Sequence, residues 1–84
     1  MREIVINGVY RHFKGNYYIV KNLAIDAESD AEVVVYKALY DDGKMFVRNK
    51  DNFLSEVDHE KYPEASQKFR FQLQQAPKIH PFLK

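Results

Sequence analysis

Val33-Val34-Val35-Tyr36-Lys37-Ala38-Leu39-Tyr40, then Asp41-Asp42-Gly43, then Lys44-Met45-Phe46-Val47-Arg48, is the stretch on which the fold turns. β-Branched and aromatic side chains dominate both flanks, and these suit a pleated, half-buried surface. Asp-Gly between them is a strong hairpin signal, because Gly supplies the positive φ that tight turns need. A strand over residues 33–40 is therefore expected to turn back into a second over 45–48. Side chains alternate along a strand, so Val34, Tyr36, Ala38 and Tyr40 share one wholly apolar face, and Lys37 marks the wetter one. That apolar face is either the core side or an aromatic binding surface.

Working outward, Val9-Tyr10-Arg11-His12-Phe13 predicts a strand, Lys14-Gly15-Asn16 a tight turn, and residues 17–25 a longer returning strand. Tyr18 and Val20 share one face, whereas Leu23 and Ile25 have the opposite parity. A β-bulge near Lys21-Asn22 restores the register. Asn7-Gly8 is a second turn signal, which either makes a hairpin with Ile4-Val5-Ile6 or simply starts the first strand. Downstream, Asn49-Lys50-Asp51-Asn52-Phe53-Leu54 is short and polar, and suits a single 3₁₀ or α turn.

Beyond Lys61 two periods compete. Tyr62, Ala65, Phe69, Leu73 and Ala76 fall at helical spacing, while Phe69, Phe71 and Leu73 alternate as a strand. A helix sets Phe71 nearly opposite Phe69; a strand buries both. The expectation is one helical turn over 63–66, a last strand over 68–73 and a loosely attached tail. Five strands with a short helical turn before the last is the order of a small SH3-like β-barrel, which hides its sheet edges. The alternative is an open sheet of four or five strands with one packed helix. The barrel is taken to span residues 1–73 as a single domain, with 74–84 as the C-terminal tail.

At 84 residues the chain is long enough for one core, and 45% hydrophobic content with six Tyr and six Phe supplies it. There is no Cys, so neither disulfides nor Cys-held zinc contribute. No apolar run approaches the roughly 20 residues needed to cross a bilayer. No membrane association is expected, and the expected location is cytoplasmic.

The blocks Tyr10-Arg11-His12-Phe13-Lys14-Gly15 and Val34-Val35-Tyr36-Lys37-Ala38-Leu39-Tyr40, followed by Gly43 and Phe46-Val47-Arg48, resemble the bacterial family called domain of unknown function 1653. The resemblance runs from about Gly8 to Val57. It implies an SH3-type barrel and carries over no established activity. The family often has Trp where this chain has Phe46, Pro where it has Asn49, and a His-Ser-Glu-like run where it reads Ala27-Glu28-Ser29.

Catalysis finds little support. There is no Cys or Thr nucleophile, and Ser29, Ser55 and Ser66 lie in polar loops without a nucleophile-elbow context. Three glycines cannot build a phosphate loop or dinucleotide fingerprint. Asp58-His59-Glu60 is the only dense run of ligating residues, and adjacent residues seldom point at one ion. Neither a metal nor another cofactor is expected.

Charge is blocky although the sum is only +1. Residues 1–24 hold four basic and one acidic side chain, and 43–50 hold three basic and none acidic. In a barrel these two blocks are neighbours, so Arg11, Lys14, Lys44, Arg48 and Lys50 are expected on one side. Tyr18, Tyr36 and Tyr40 can join Phe46 there, and aromatics beside Arg suit gripping an extended peptide or stacking bases. His12 reads first as a hydrogen-bonded structural imidazole.

The candidate binding residues are thus Arg11, His12, Lys14, Tyr18, Tyr36, Tyr40 and Arg48, on a non-enzymatic binding module. A protein or peptide partner is favoured over single-stranded RNA or DNA, because a charge of +1 releases few counterions from phosphates. A self-associating structural domain is a third reading, and a small-molecule or enzymatic domain built on His12, Arg11 and nearby carboxylates is the other. The latter requires a polar pocket at the first hairpin.

Overall fold

The computed structural model describes residues 2–75. Five strands and one short helix follow in the order β1 (Val9–His12), β2 (Tyr17–Ile25), β3 (Glu32–Ala38), β4 (Met45–Asn49), α1 (Lys50–Phe53) and β5 (Phe71–Leu73). All neighbours are antiparallel, and the sheet order is β4-β3-β2-β1-β5.

The sheet does not close. Its two ends are β4 and β5, and among the described residues no ladder joins them, so the expected barrel is corrected to an open five-stranded sheet. The reason lies in how the chain between these strands spends its hydrogen bonds. Val57 N–H donates to the Lys68 carbonyl at 2.8 Å and Arg70 N–H to Ser55 at 2.9 Å, around a bridge between Glu56 and Phe69. Residues 68–70 thus pair with 55–57, which leaves only three residues for β5. The predicted last strand over 68–73 is shortened accordingly. The sheet nevertheless curls: the Phe71 ring lies 5.4 Å from Tyr36 and 5.7 Å from Tyr18, so rings span the concave side where hydrogen bonds do not.

The decisive hairpin forms as its turn residues dictate. Asp41 (φ 50°) and Gly43 (φ 67°) take left-handed conformations, and Ala38 N–H donates to the Lys44 carbonyl at 2.9 Å. β3 is shorter than expected and ends at Ala38, although Leu39 N–H still donates to the Tyr17 carbonyl of β2 at 2.9 Å. In β2 the register against β3 shifts between Val20 and Asn22, which brings Val20 and Leu23 to the same core despite their opposite parity. Asn7-Gly8 makes a turn into β1 rather than a hairpin: Asn7 has φ 65° and Gly8 N–H donates to Val5 at 3.0 Å.

Tyr10, Val20, Val34, Tyr36, Phe53 and Phe71 form the core, with Ile4, Tyr18, Leu23 and Leu54 packed against it. Asn49 caps α1 by accepting from Asn52 N–H at 3.2 Å, and this single turn drives Phe53 inward. There Phe53 stacks on Phe71 with ring centroids 4.1 Å apart and 7° between planes. No helix forms over 63–66. The chain runs through turns there, with Ala65 N–H on the Tyr62 carbonyl at 3.1 Å. Gln74, placed in the tail by its sequence, extends the β1–β5 pairing by donating to the Val9 carbonyl at 2.8 Å. The remainder of the expected tail, 76–84, lies outside the described residues.

Candidate functional site

Register decides which side chains meet. His12 lies opposite Phe71, Tyr10 opposite Tyr18, Tyr18 opposite Ala38, Tyr36 opposite Phe46 and Val34 opposite Arg48. All therefore project from the concave face. Tyr18 sits at the centre, with edge-to-face contacts to Tyr36 at 5.3 Å and Tyr40 at 5.5 Å, and Phe46 at 6.2 Å. The Tyr18 and Tyr40 hydroxyls share a 2.8 Å hydrogen bond. Burial first, then that bond, push the Tyr18 phenol up to about 12, so Tyr18 keeps its proton and its capacity to hydrogen-bond.

Arg48 is a cation held in place on this face. Its Nε donates to the Tyr36 hydroxyl at 3.1 Å and its Nη1 to Asn52 Oδ1 at 2.7 Å, while the guanidinium lies 5.3 Å from the Phe71 ring centre. Neutral groups thus fix its orientation without cancelling its charge. The ion pairs found among the described residues, Lys44–Asp42 and Lys50–Glu32, do not involve it.

His12 closes the far side, stacked on Phe13 at 4.5 Å and edge-on to Phe71 at 4.9 Å. Lys14 N–H donates to its Nδ1 at 3.1 Å, which leaves the proton of the neutral ring on Nε2. Burial, then the charges of Arg48, Arg70, Lys14 and Arg11, bring its pKa down to about 4. The sign of the stability effect follows. Above the unfolded value near 6.5 both states are neutral; as pH falls toward 4 the unfolded chain takes up the proton first. Stability is therefore expected to decline across that window. Urea denaturation at about pH 7 and about pH 4.5 should show a smaller decline for His12→Gln than for the wild type. Equal declines would refute the assignment.

Five of the seven residues named from sequence are thus brought together: His12, Tyr18, Tyr36, Tyr40 and Arg48. Tyr36 belongs to the core, only 4% exposed, so it supports the face with its hydroxyl and offers no open ring. Arg11 and Lys14 are elsewhere. The expected single basic side rested on β1 neighbouring β4, and β2 and β3 lie between them. Arg11 faces the convex side opposite Tyr17 and Gln72, and its Nη1 donates to Gln67 Oε1 at 2.7 Å. With Phe13, Lys14, Tyr62 and Ser66 it borders a separate depression of about 380 Å³.

Phe71 and Asn52 were not recognised as parts of the site. The alternation of Phe69, Phe71 and Leu73 signalled burial of Phe71, but not its place beneath Arg48. Among the described residues no three His, Asp or Glu side chains converge as metal ligands. In the Asp58-His59-Glu60 run the Asp58 carboxylate accepts from the Glu60 backbone, and His59 Nε2 lies 3.2 Å from the Gln67 carbonyl. No helix among the described residues is long and apolar enough to cross a membrane.

A family model described as protein of unknown function (DUF1653) matches residues 8–73. The chain belongs to this family. The DUF1653 match extends past the region of sequence resemblance to take in all five strands. A crystal structure of a DUF1653 protein from Bordetella bronchiseptica is 34% identical, covering 89% of this chain and 91% of the other with a TM-score of 0.66. No protein with a curated description matches significantly.

Proposed function

We propose that this DUF1653 protein is a non-enzymatic binding module that recognises a protein or peptide partner on its concave face, through Tyr18, Tyr40, Phe46 and Arg48. The observation that carries this is Arg48: oriented by Tyr36 and Asn52, floored by Phe71, and without a carboxylate partner among the described residues. A preorganised guanidinium among aromatic rings is suited to a carboxylate on an apolar or aromatic body. The strand order supports reading the sheet as SH3-like, left open between β4 and β5. A cytoplasmic location belongs to the same reading and rests on the Cys-free sequence.

One observation favours nucleic acid instead, namely the combined field of Arg48, Arg70, Lys14 and Arg11 felt at His12. Against it, Arg11 and Arg48 lie on opposite faces of the sheet and form no continuous track for a backbone. A catalytic His12 is disfavoured by its Nδ1, which is already occupied by the Lys14 amide.

The test is an amide spectrum of labelled protein titrated at two salt concentrations with two probes. One is a short single-stranded RNA; the other is the acetylated, amidated peptide Glu-Thr-Glu-Val-Phe-Val-Glu. The peptide is expected to shift Tyr18, Tyr40, Phe46 and Arg48 at both salts. Shifts with RNA alone, falling steeply with salt, would replace the peptide reading with nucleic acid.

A further inference from the structure

β4 ends the sheet at its exposed side. Because Ala38 N–H donates to the Lys44 carbonyl, residues 38 and 44 form a hydrogen-bonded pair, and by alternation so do 36 with 46 and 34 with 48. The backbone groups of Phe46 and Arg48 therefore face β3, whereas the N–H and C=O of Met45 and Val47 point away from the sheet. Among the described residues no strand takes them up.

Edges of this kind are usually blunted by a proline, a bulge or an inward charge. β4 contains no proline, its register from Val33↔Asn49 to Lys37↔Met45 is unbroken, and its inward charge, Arg48, is bonded back to Tyr36 and Asn52 rather than set across the edge. Met45, Phe46 and Val47 are in addition 53%, 39% and 66% exposed in succession. We propose that β4 receives an added antiparallel strand from an acidic, apolar segment of a partner protein. This deepens the binding-face reading and rests on it.

Charge selects the occupant. Residues 43–50 carry Lys44, Arg48 and Lys50 and no acidic side chain. Lys44 is paired only at 4.0 Å with Asp42, both side chains more than 70% exposed, so its charge remains available. A second copy is a poor fit. Antiparallel pairing centred on Val47, which matches all five β4 residues, brings together two segments that each carry Lys44, Arg48 and Lys50 and no acidic side chain, and like charges repel. An incoming strand instead places a carboxylate opposite Arg48 and an apolar side chain opposite Phe46 on the concave face. Opposite Met45 and Val47, on the convex face, it places two more apolar residues. Main-chain bonds then supply affinity, and alternate side chains supply choice.

The peptide Glu-Thr-Glu-Val-Phe-Val-Glu is written to this register, its central Val facing Val47. Three variants test the inference. N-methylation of the central Val removes the N–H that donates to the Val47 carbonyl, and should weaken binding about tenfold. Val47→Pro removes an outward N–H without breaking a bond to β3, and should lose binding while keeping a dispersed amide spectrum. If Val47→Pro does not fold, the methylated peptide gives the same test on unaltered protein. The counterpart Lys-Thr-Lys-Val-Phe-Val-Lys should not bind.

Equal affinity for the methylated peptide would overturn strand addition, and the binding face would survive if Tyr40, Phe46 and Arg48 still shift. Equal affinity for the lysine peptide would overturn the acidic partner. No shift with any peptide would overturn both the inference and the face. Dimerisation without peptide, seen by sedimentation at two concentrations, would assign the edge to a second copy and overturn the proposed occupant.

Discussion

Phe53→Ala is expected to cost about 3–5 kcal/mol of folding stability. Phe53 is fully buried, stacks flat on Phe71, and meets Tyr10 at 5.2 Å and Tyr36 at 5.4 Å edge to face. It is thus the point where α1 closes over the curled sheet, and no ladder between β4 and β5 is present to share the load. A domain of this size holds only roughly 4–13 kcal/mol in all. Truncation leaves a cavity between α1 and β5 that the three-residue β5 cannot collapse to fill. Urea denaturation should show a much lower midpoint or no cooperative transition at all. A midpoint close to that of the wild type would mean that the sheet is held together elsewhere.

Tyr36→Ala should be comparably damaging, about 3–5 kcal/mol, whereas Tyr36→Phe should cost only about 1 kcal/mol. The Tyr36 ring contacts Tyr18, Phe46, Phe53 and Phe71, so Ala removes the hub of the aromatic cluster. Phe keeps the hub and deletes only the hydroxyl that accepts from Arg48 Nε. The pair therefore separates packing from the positioning of Arg48. Denaturation of both variants, with peptide titration of the Phe variant, gives the comparison. Similar stability losses for the two would show that the hydroxyl, rather than the ring, carries the stabilisation.

Local features were legible in the sequence because they depend on local chemistry. The Asp-Gly turn, the change of parity along β2 and the single turn at Asn49 each follow from backbone freedom, alternation or capping within a few residues. Closure was not legible. It depends on whether residues 68–70 pair with β4 or with 55–57, a choice between partners distant in sequence. The side occupied by Arg11 was readable and was overridden by charge grouping: Arg11 lies between Tyr10 and His12 on one strand, so alternation alone sets it opposite them. Tyr36 followed the opposite course. Its parity with Val34 and Ala38 marked a coherent face, but only packing against Phe53 and Phe71 makes that face the core. The meeting of Tyr18, Tyr40 and Arg48 required the full sheet order, since these residues come from three separate parts of the chain.

The most direct test of the account is calorimetric titration of wild type and Arg48→Gln with Glu-Thr-Glu-Val-Phe-Val-Glu. Gln can still reach toward Asn52 but carries no charge, and no buried ion pair is broken by the change. Measurable binding to the wild type is expected, with affinity at least about tenfold weaker in the folded variant. Equal affinity in the two proteins would contradict the account, because the partner would then be held by something other than the Arg48 guanidinium.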